Sequence, residues 1–161
     1  MCKYEHTQPA ALHVEDVMTR QEKKLYLSQY LQLQKDIVRL ADEAQQLQAT
    51  AEKLSQLQAA LCSGMETNGL RAAAQLVDDV CSGLQERIAR LDAQCMEIFN
   101  AISAASSTLG LVQYKVLFDI YICGMTLQQT AEDIGYSAGH LNRLYNAALD
   151  GLNMQRHAAR S

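Results

Sequence analysis

The chain has 161 residues, a hydrophobic content of 48% and a formal net charge of −4, which together exclude an intrinsically disordered protein. A single proline and an aromatic content of 6% favour helices and disfavour a β sandwich. No apolar run reaches the length of a membrane span, and the N-terminal MCKYEHTQPA lacks the hydrophobic core of a signal peptide. We therefore expect an all-helical cytoplasmic protein without membrane contacts.

The cysteines predict neither a zinc site nor a redox motif, because the five of them are widely spaced and form no CxxC pair. Most of them fall at apolar helical positions, as buried reduced thiols do. Cys2, His6 and His13 match no known set of metal ligands, so we expect residues 1–19 to be a flexible N-terminus. No metal and no cofactor is expected.

Residues 20–103 carry two successive heptad patterns, which predict a long coiled-coil hairpin. The apolar series of the first helix is Tyr26, Tyr30, Leu33, Ile37, Leu40, Ala44, Leu47, Ala51, Leu54 and Leu61, interrupted only by Gln58. The turn residues of CSGMETNG, 62–69, then break the pattern. The series of the second helix is Leu70, Ala73, Val77, Val80, Leu84, Ile88, Leu91, Cys95, Ile98 and Ile102, with one extra residue after Leu84 that predicts a small stutter.

Two long helices joined by a short break bury their apolar stripes best by folding back antiparallel. Five apolar residues lie off the stripe and widen the apolar face, namely Leu25, Leu27, Leu31, Val38 and Leu57. This width suggests further packing partners, either from another subunit or from the C-terminal domain. An intrachain core and a dimer interface therefore both remain open for these heptads, and a homodimer through the coiled coil is an expected assembly.

After a small polar linker at 104–111, residues 112–153 predict a compact domain of three short helices, followed by a tail at 154–161. The first of these helices ends near Gly124. Thr126 and Gln129 form a capping-box pattern that begins the second, and Ser137 is an N-cap for the third.

The spacing of the last two helices is that of a helix-turn-helix, whose second helix lies in the major groove of DNA. Ala131 is small where the two helices cross, and Gly135 lies where the chain needs a positive φ. Four leucine and isoleucine residues are expected to face inward, namely Leu127, Ile134, Leu141 and Leu144.

The outward positions of the last helix supply groups that bind nucleic acid, with Ala138 and Gly139 between them. Asn142, Arg143 and Asn146 are predicted to contact base edges, because Asn and Arg can pair with adenine and guanine. Thr126, Ser137 and His140 are predicted to contact phosphates.

This segment resembles the fourth region of bacterial sigma factors, which binds the −35 element of promoters. The family pattern T-L-x-E-I-A-x-x-L-G-x-S, followed by a helix ending in A-L-x-x-L, is met at Thr126, Leu127, Ala131, Ile134, Gly135, Ser137, Ala148, Leu149 and Leu152. The preceding helix matches at Tyr121, Gly124 and Thr126, with Ile120 in place of the family's arginine. The whole arrangement is similar to small phage and prophage proteins of Gram-positive bacteria related to ArpU-type and RinA-type transcription regulators. The resemblance implies a phage-derived transcription regulator that binds double-stranded DNA, with RNA polymerase as a further partner.

The charge distribution argues against unaided DNA binding. Residues 111–161 contain four basic and four acidic side chains (4 − 4 = 0), whereas DNA-binding domains are usually basic. A dimer or association with RNA polymerase would supply the missing contacts.

Two alternatives also remain open. The first is a non-enzymatic adaptor that binds RNA polymerase or a phage protein, and the second is a DNA recognition subunit of the small-terminase type. An enzyme is not expected, because no nucleophile elbow, P-loop or dinucleotide-binding motif is present.

Overall fold

The computed structural model describes residues 17–61 and 68–155, and these residues confirm the prediction of an all-helical protein. No β strand occurs among the described residues; the one backbone bridge joins Val17 to Gln155. The helices are α1 (Arg20–Ala60), α2 (Asn68–Ala104), α3 (Leu111–Tyr121), α4 (Leu127–Ile134) and α5 (Ala138–Gly151), with a 3-10 turn at Ala105–Ser107.

Helix α1 begins at a complete capping box. The Thr19 hydroxyl accepts a hydrogen bond from the backbone N–H of Glu22, and the Glu22 carboxylate accepts one from the backbone N–H of Thr19. Two of the otherwise unpaired donors at the start of the helix are satisfied in this way. The cap explains why a 41-residue helix starts at Arg20.

Helices α1 and α2 pack along their length in antiparallel directions. The Sγ of Cys95 lies 4.0 Å from the carbonyl oxygen of Tyr30, and the Sγ of Cys81 lies 3.9 Å from that of Ala44. The contact therefore moves fourteen residues toward the C-terminus in α1 as it moves fourteen residues toward the N-terminus in α2, as expected for antiparallel helices. The predicted stripe of α1 is turned inward from Tyr26 to Gln58, whereas Leu61 at its end is exposed.

The stripe of α2 differs from the predicted one in its first half, where Ala74 joins the half-buried Ala73 and Cys81 replaces Val80, and the predicted stutter is absent. Val80 points outward, whereas Cys81 is half-buried against α1. The inward residues then follow an unbroken 3-4 alternation through Leu70, Ala74, Val77, Cys81, Leu84, Ile88, Leu91, Cys95, Ile98 and Ile102. Cys81 packs here as a small hydrophobic residue and takes the inward position that the sequence pattern assigned to the larger Val80.

The main core lies where α3, α4 and α5 pack on one end of the α1–α2 pair. Its fully buried members come from four of the five helices; they include Leu27, Ile98, Ile102, Val116, Leu117, Leu141 and Leu149. The segment predicted as a linker, 104–111, passes this core and buries Ala105 in it.

Both ends of the described chain are joined by hydrogen bonds near the C-terminal end of α5. The backbone N–H of Met18 donates to the carbonyl of Met154 at 3.1 Å. The buried ammonium of Lys23 donates to the carbonyls of Leu149 and Leu152 at 2.8 and 2.7 Å, which are among the unpaired acceptors at the end of α5. Burial lowers the pKa of Lys23.

The cysteines of the described segments are free thiols with three different environments. Cys95 is buried, Cys81 is half-buried and Cys123 is exposed. Cys2, Cys62, His6, His13 and His157 lie outside the described residues, as do most of the predicted N-terminus, the turn at 62–67 and the tail from 156. Among the described residues, no group of side chains is arranged to hold a metal ion. None of the helices described is both long and apolar enough to cross a membrane.

Candidate nucleic-acid interface

The turn between α3 and α4 is held by a glycine and a second capping box. Gly124 has φ +72°, and a Cβ built on it would lie 3.2 Å from Cδ1 of Leu31 in α1. The predicted cap of α4 is confirmed: Thr126 Oγ1 accepts from Gln129 N at 3.2 Å, and Thr126 N donates to Gln129 Oε1 at 2.9 Å. The start of α4 is therefore fixed by local backbone chemistry.

The turn between α4 and α5 has the backbone that the sequence predicts. Gly135 adopts φ +79° and ends α4, with its N–H donating to the carbonyl of Ala131 at 2.9 Å. Ser137 is the N-cap of α5, and its hydroxyl accepts from the backbone N–H of His140 at 3.3 Å. Only three residues, 135–137, thus separate the two helices, and this short turn holds them in one arrangement.

The inner face of α4 and α5 is mostly as predicted, with one correction. Leu141 is fully buried, and Ile134 and Leu144 are half-buried. Leu127 was expected to face inward but is 39% exposed, because it is the first residue of α4 and lies beyond the crossing with α5. Thr130 is fully buried instead, and its hydroxyl donates to the carbonyl of Thr126.

A continuous outward surface runs along α5, and we call it the α5 face. Each member has another member three or four residues away, so together they share one side of the helix. The α5 face consists of Gly139, Asn142, Arg143, Asn146, Ala147 and Asp150, all exposed except the half-buried Asn146.

The predicted base-contacting residues lie together on the α5 face. Asn146 Nδ2 donates to Asn142 Oδ1 at 3.5 Å, which is a weak contact. Arg143 is exposed and has no hydrogen-bond or ion-pair partner within the described parts of the chain. One guanidinium and two amides are therefore presented side by side to the solvent.

The predicted phosphate-contacting residues lie at two separate places. Ser137 and His140 are adjacent in the first turn of α5, where the His140 ring packs edge-on against Tyr136 with centroids 4.8 Å apart. Thr126 lies at the opposite end of α4, about 12 Å away along the helix axis. Each hydroxyl accepts a backbone hydrogen bond at its cap, and its own O–H hydrogen stays available to a phosphate oxygen.

The cation nearest to α4 is held by carboxylates. Lys115 of α3 donates to Asp119 at 2.6 Å and to Asp133 of α4 at 2.9 Å. These two carboxylates raise the pKa of Lys115, and their negative charges offset its positive charge. Lys115 therefore adds little positive potential to the surface formed by α4 and α5.

Two cations that the sequence analysis did not consider lie beside α5. Arg20 in the first turn of α1 forms a two-pronged ion pair with Asp150, at 2.9 and 2.5 Å, and this pair lowers the pKa of Asp150. Lys24, one turn further along α1, has its ammonium 5.0 Å from the ring centre of Tyr145. The hydroxyl of Tyr145 is in turn hydrogen-bonded to that of Tyr121 at 2.7 Å in the core. Residues more than 120 positions apart in sequence form this cluster, so local patterns contain no signal for it.

Comparisons with protein-family models, with curated proteins and with solved structures find no match to this chain.

Proposed function

We propose that the chain is a transcription regulator of phage or prophage origin that binds double-stranded DNA in the cytoplasm. In this proposal α1 and α2 form a coiled-coil hairpin that mediates dimerisation or contact with RNA polymerase. Helices α3–α5 form a sigma-like helix-turn-helix domain, and α5 enters the major groove. Asn142, Arg143 and Asn146 contact bases, and the hydroxyl or imidazole groups of Thr126, Ser137 and His140 contact phosphates.

The observation that carries the proposal is the α5 face. Capped helices and a three-residue turn present Asn142 and Arg143 outward, and Arg143 has no partner among the described residues. A guanidinium held free beside amides on a rigid helix is suited to pairing with base edges. Side chains used only for the stability of the fold would be expected to engage one another instead.

The test is a binding selection on random duplex DNA at two salt concentrations, combined with the mass of the protein from light scattering. We expect enrichment of a motif, with two half-sites one helical turn apart if the protein is a dimer. The variant Arg143→Ala should then lose specific binding, with a discrimination loss of about 1–3 kcal/mol at the contacted base, and should keep its helical circular dichroism.

The matched control is Lys53→Ala, which removes the same charge from an exposed position of α1 far from α5. This control variant should enrich the same motif as the wild-type chain. Equal binding by Arg143→Ala and the wild type would show that α5 does not contact bases. A ring of many subunits in light scattering would instead favour a DNA-packaging subunit.

A second candidate function is a non-enzymatic adaptor that binds RNA polymerase or a phage protein. It is favoured by apolar side chains on the outside of the α1–α2 pair, where Leu76 is 66% exposed and Val80, four residues later, is 46% exposed. Apolar side chains grouped on an exposed face are typical of interaction sites. Co-sedimentation with purified RNA polymerase that is lost in Leu76→Glu, without any enriched DNA motif, would support the adaptor and contradict the DNA-binding proposal.

A further inference from the structure

The proposed DNA surface has a single unpaired cation of its own among the described residues. Lys115 is engaged by two carboxylates, and Arg143 is the one unpaired cation among the described residues of α3, α4 and α5. Each phosphate that a protein neutralises adds about 0.9 to the slope of log affinity against log salt, so one cation gives weak binding. Additional positive charge lies beside α5 on a different helix, α1.

The first turn of α1 brings two cations against α5. Arg20 and Lys24 are four residues apart, so they project from the same side of α1. The guanidinium of Arg20 contacts Asp150, and the ammonium of Lys24 lies over Tyr145. Both contacts are to α5 but to different sides of it, because Tyr145 is buried and follows Arg143 by two residues, about 160° around the helix axis. Lys23 between them anchors the turn to the last carbonyls of α5.

Arg20 lies on the same line as Arg143. Asp150 follows Arg143 by seven residues, which places the two side chains within about 20° of each other around α5 and about 10 Å apart along it. The ion pair therefore brings the guanidinium of Arg20 to the end of the α5 face. The side chains of Arg20 and Asp150 remain 47% and 54% exposed, so this end of the face is open to a ligand.

The charges at this end still permit an anion to bind. Asp150 alone would repel a phosphate, but its two oxygens are occupied by the Nε and Nη2 groups of Arg20. A guanidinium has five N–H donors, so three remain after this two-pronged pairing. Arg20 thus cancels the one carboxylate of the α5 face and leaves donors available for a phosphate oxygen.

We propose that the first turn of α1 is part of the nucleic-acid surface, and that Arg20 binds a phosphate of duplex DNA beside the groove occupied by α5. The inference rests on the proposed DNA-binding function and adds a second contact region to it. Arg20 also positions that region, because it neutralises Asp150. The DNA-binding surface then includes residues of both α1 and α5, although neither helix alone is strongly basic.

The test measures the affinity for a fluorescently labelled mixed-sequence duplex of about 30 base pairs at several salt concentrations. Arg20→Gln should reduce the slope of log affinity against log salt by roughly 0.9. Because a slope change of this size alters the affinity about eightfold for each tenfold change in salt, binding at 0.1 M salt should be about eightfold weaker. Lys24→Gln should leave the slope unchanged, because Lys24 lies over the buried Tyr145 and not on the α5 face. Asp150→Asn should strengthen binding roughly threefold, a smaller effect because Arg20 already offsets the carboxylate.

Two controls carry the same charge changes at distant exposed positions. Lys53→Gln on α1 matches the lysine and arginine variants, and Asp78→Asn on α2 matches Asp150→Asn. Both should bind like the wild type. Thermal unfolding of every variant checks the fold, and if Arg20→Gln unfolds early, Asp150→Asn decides the question.

The outcomes separate the two proposals. If Arg143→Ala weakens binding but Arg20→Gln behaves like Lys24→Gln and Lys53→Gln, the extended surface is wrong and the DNA-binding function stands. If the wild-type chain binds no duplex at low salt, the DNA-binding function is wrong and this inference falls with it.

Discussion

The two ends of the α1–α2 pair follow the same heptad pattern but are buried to different degrees. At the end where α3–α5 pack, Leu27, Ile98 and Ile102 are buried in one cluster with residues of those helices. Toward the opposite end, in the described residues 41–60 and 68–94, the seam is at most half-buried. We call these regions the base and the free half.

The difference shows what a third layer of helices contributes. Two helices cover one stripe of each other and leave the flanks of that stripe exposed to water. At the base, α3 and α5 cover those flanks, which is why Leu27, one position off the predicted seam, has no exposed surface. The periodicity of a helix therefore predicts the direction of its side chains but not the extent of their burial.

The largest expected effect contrasts one leucine from each region. Leu27→Ala should reduce the free energy of unfolding by about 2–5 kcal/mol, because it leaves a cavity in a packed core. Leu54→Ala, in the half-buried seam of the free half, should cost about half as much, because less apolar area is lost. Urea unfolding followed by circular dichroism measures both values. Equal losses would mean that the free half is covered by something other than α1 and α2, such as a second copy of the chain.

A smaller contrast uses the same substitution at two lysines of α1. Lys23→Met should cost about 1–3 kcal/mol, because the carbonyls of Leu149 and Leu152 lose their buried donor while the apolar stem of the side chain is retained. Lys53→Met, exposed in the free half, should stay within about 0.5 kcal/mol of the wild type. The same unfolding assay serves both. No loss at Lys23 would show that water satisfies the end of α5 equally well.

The smallest individual effects are expected at two glycines, where the changes in the free energy of unfolding should have opposite signs. Gly83→Ala in the free half should raise the melting temperature through a gain of about 0.5–1 kcal/mol, because a Cβ there meets no atom within 4 Å and alanine favours helix. Gly135→Ala should lower it through a loss of about 1–2 kcal/mol, because its φ of +79° is unfavourable for a residue with a Cβ. Differential scanning calorimetry measures both shifts. A stabilising Gly135→Ala would mean that the turn between α4 and α5 relaxes easily.

The features that depended on neighbours in sequence were predicted correctly. The cap at Thr126, the positive φ of Gly135 and the N-cap at Ser137 each involve a few consecutive residues, whose side chains can reach one another in few ways. The outward position of Arg143 follows from the helical period alone. Leu127 and Val80 were assigned to inner faces and are exposed, because period alone does not indicate where a neighbouring helix ends or which of two adjacent apolar residues it covers.

Sequence patterns were sufficient to predict that the protein is helical, where α4 begins and ends, where α5 begins, and which side of α5 faces outward. These properties follow from backbone hydrogen bonding, caps and the period of 3.6 residues, all of which act over a few residues. Packing of distant helices places Lys23 at the end of α5, Arg20 beside Asp150 and Leu27 in the core. Each of those contacts joins positions far apart along the chain, so it exists only once the helices have packed.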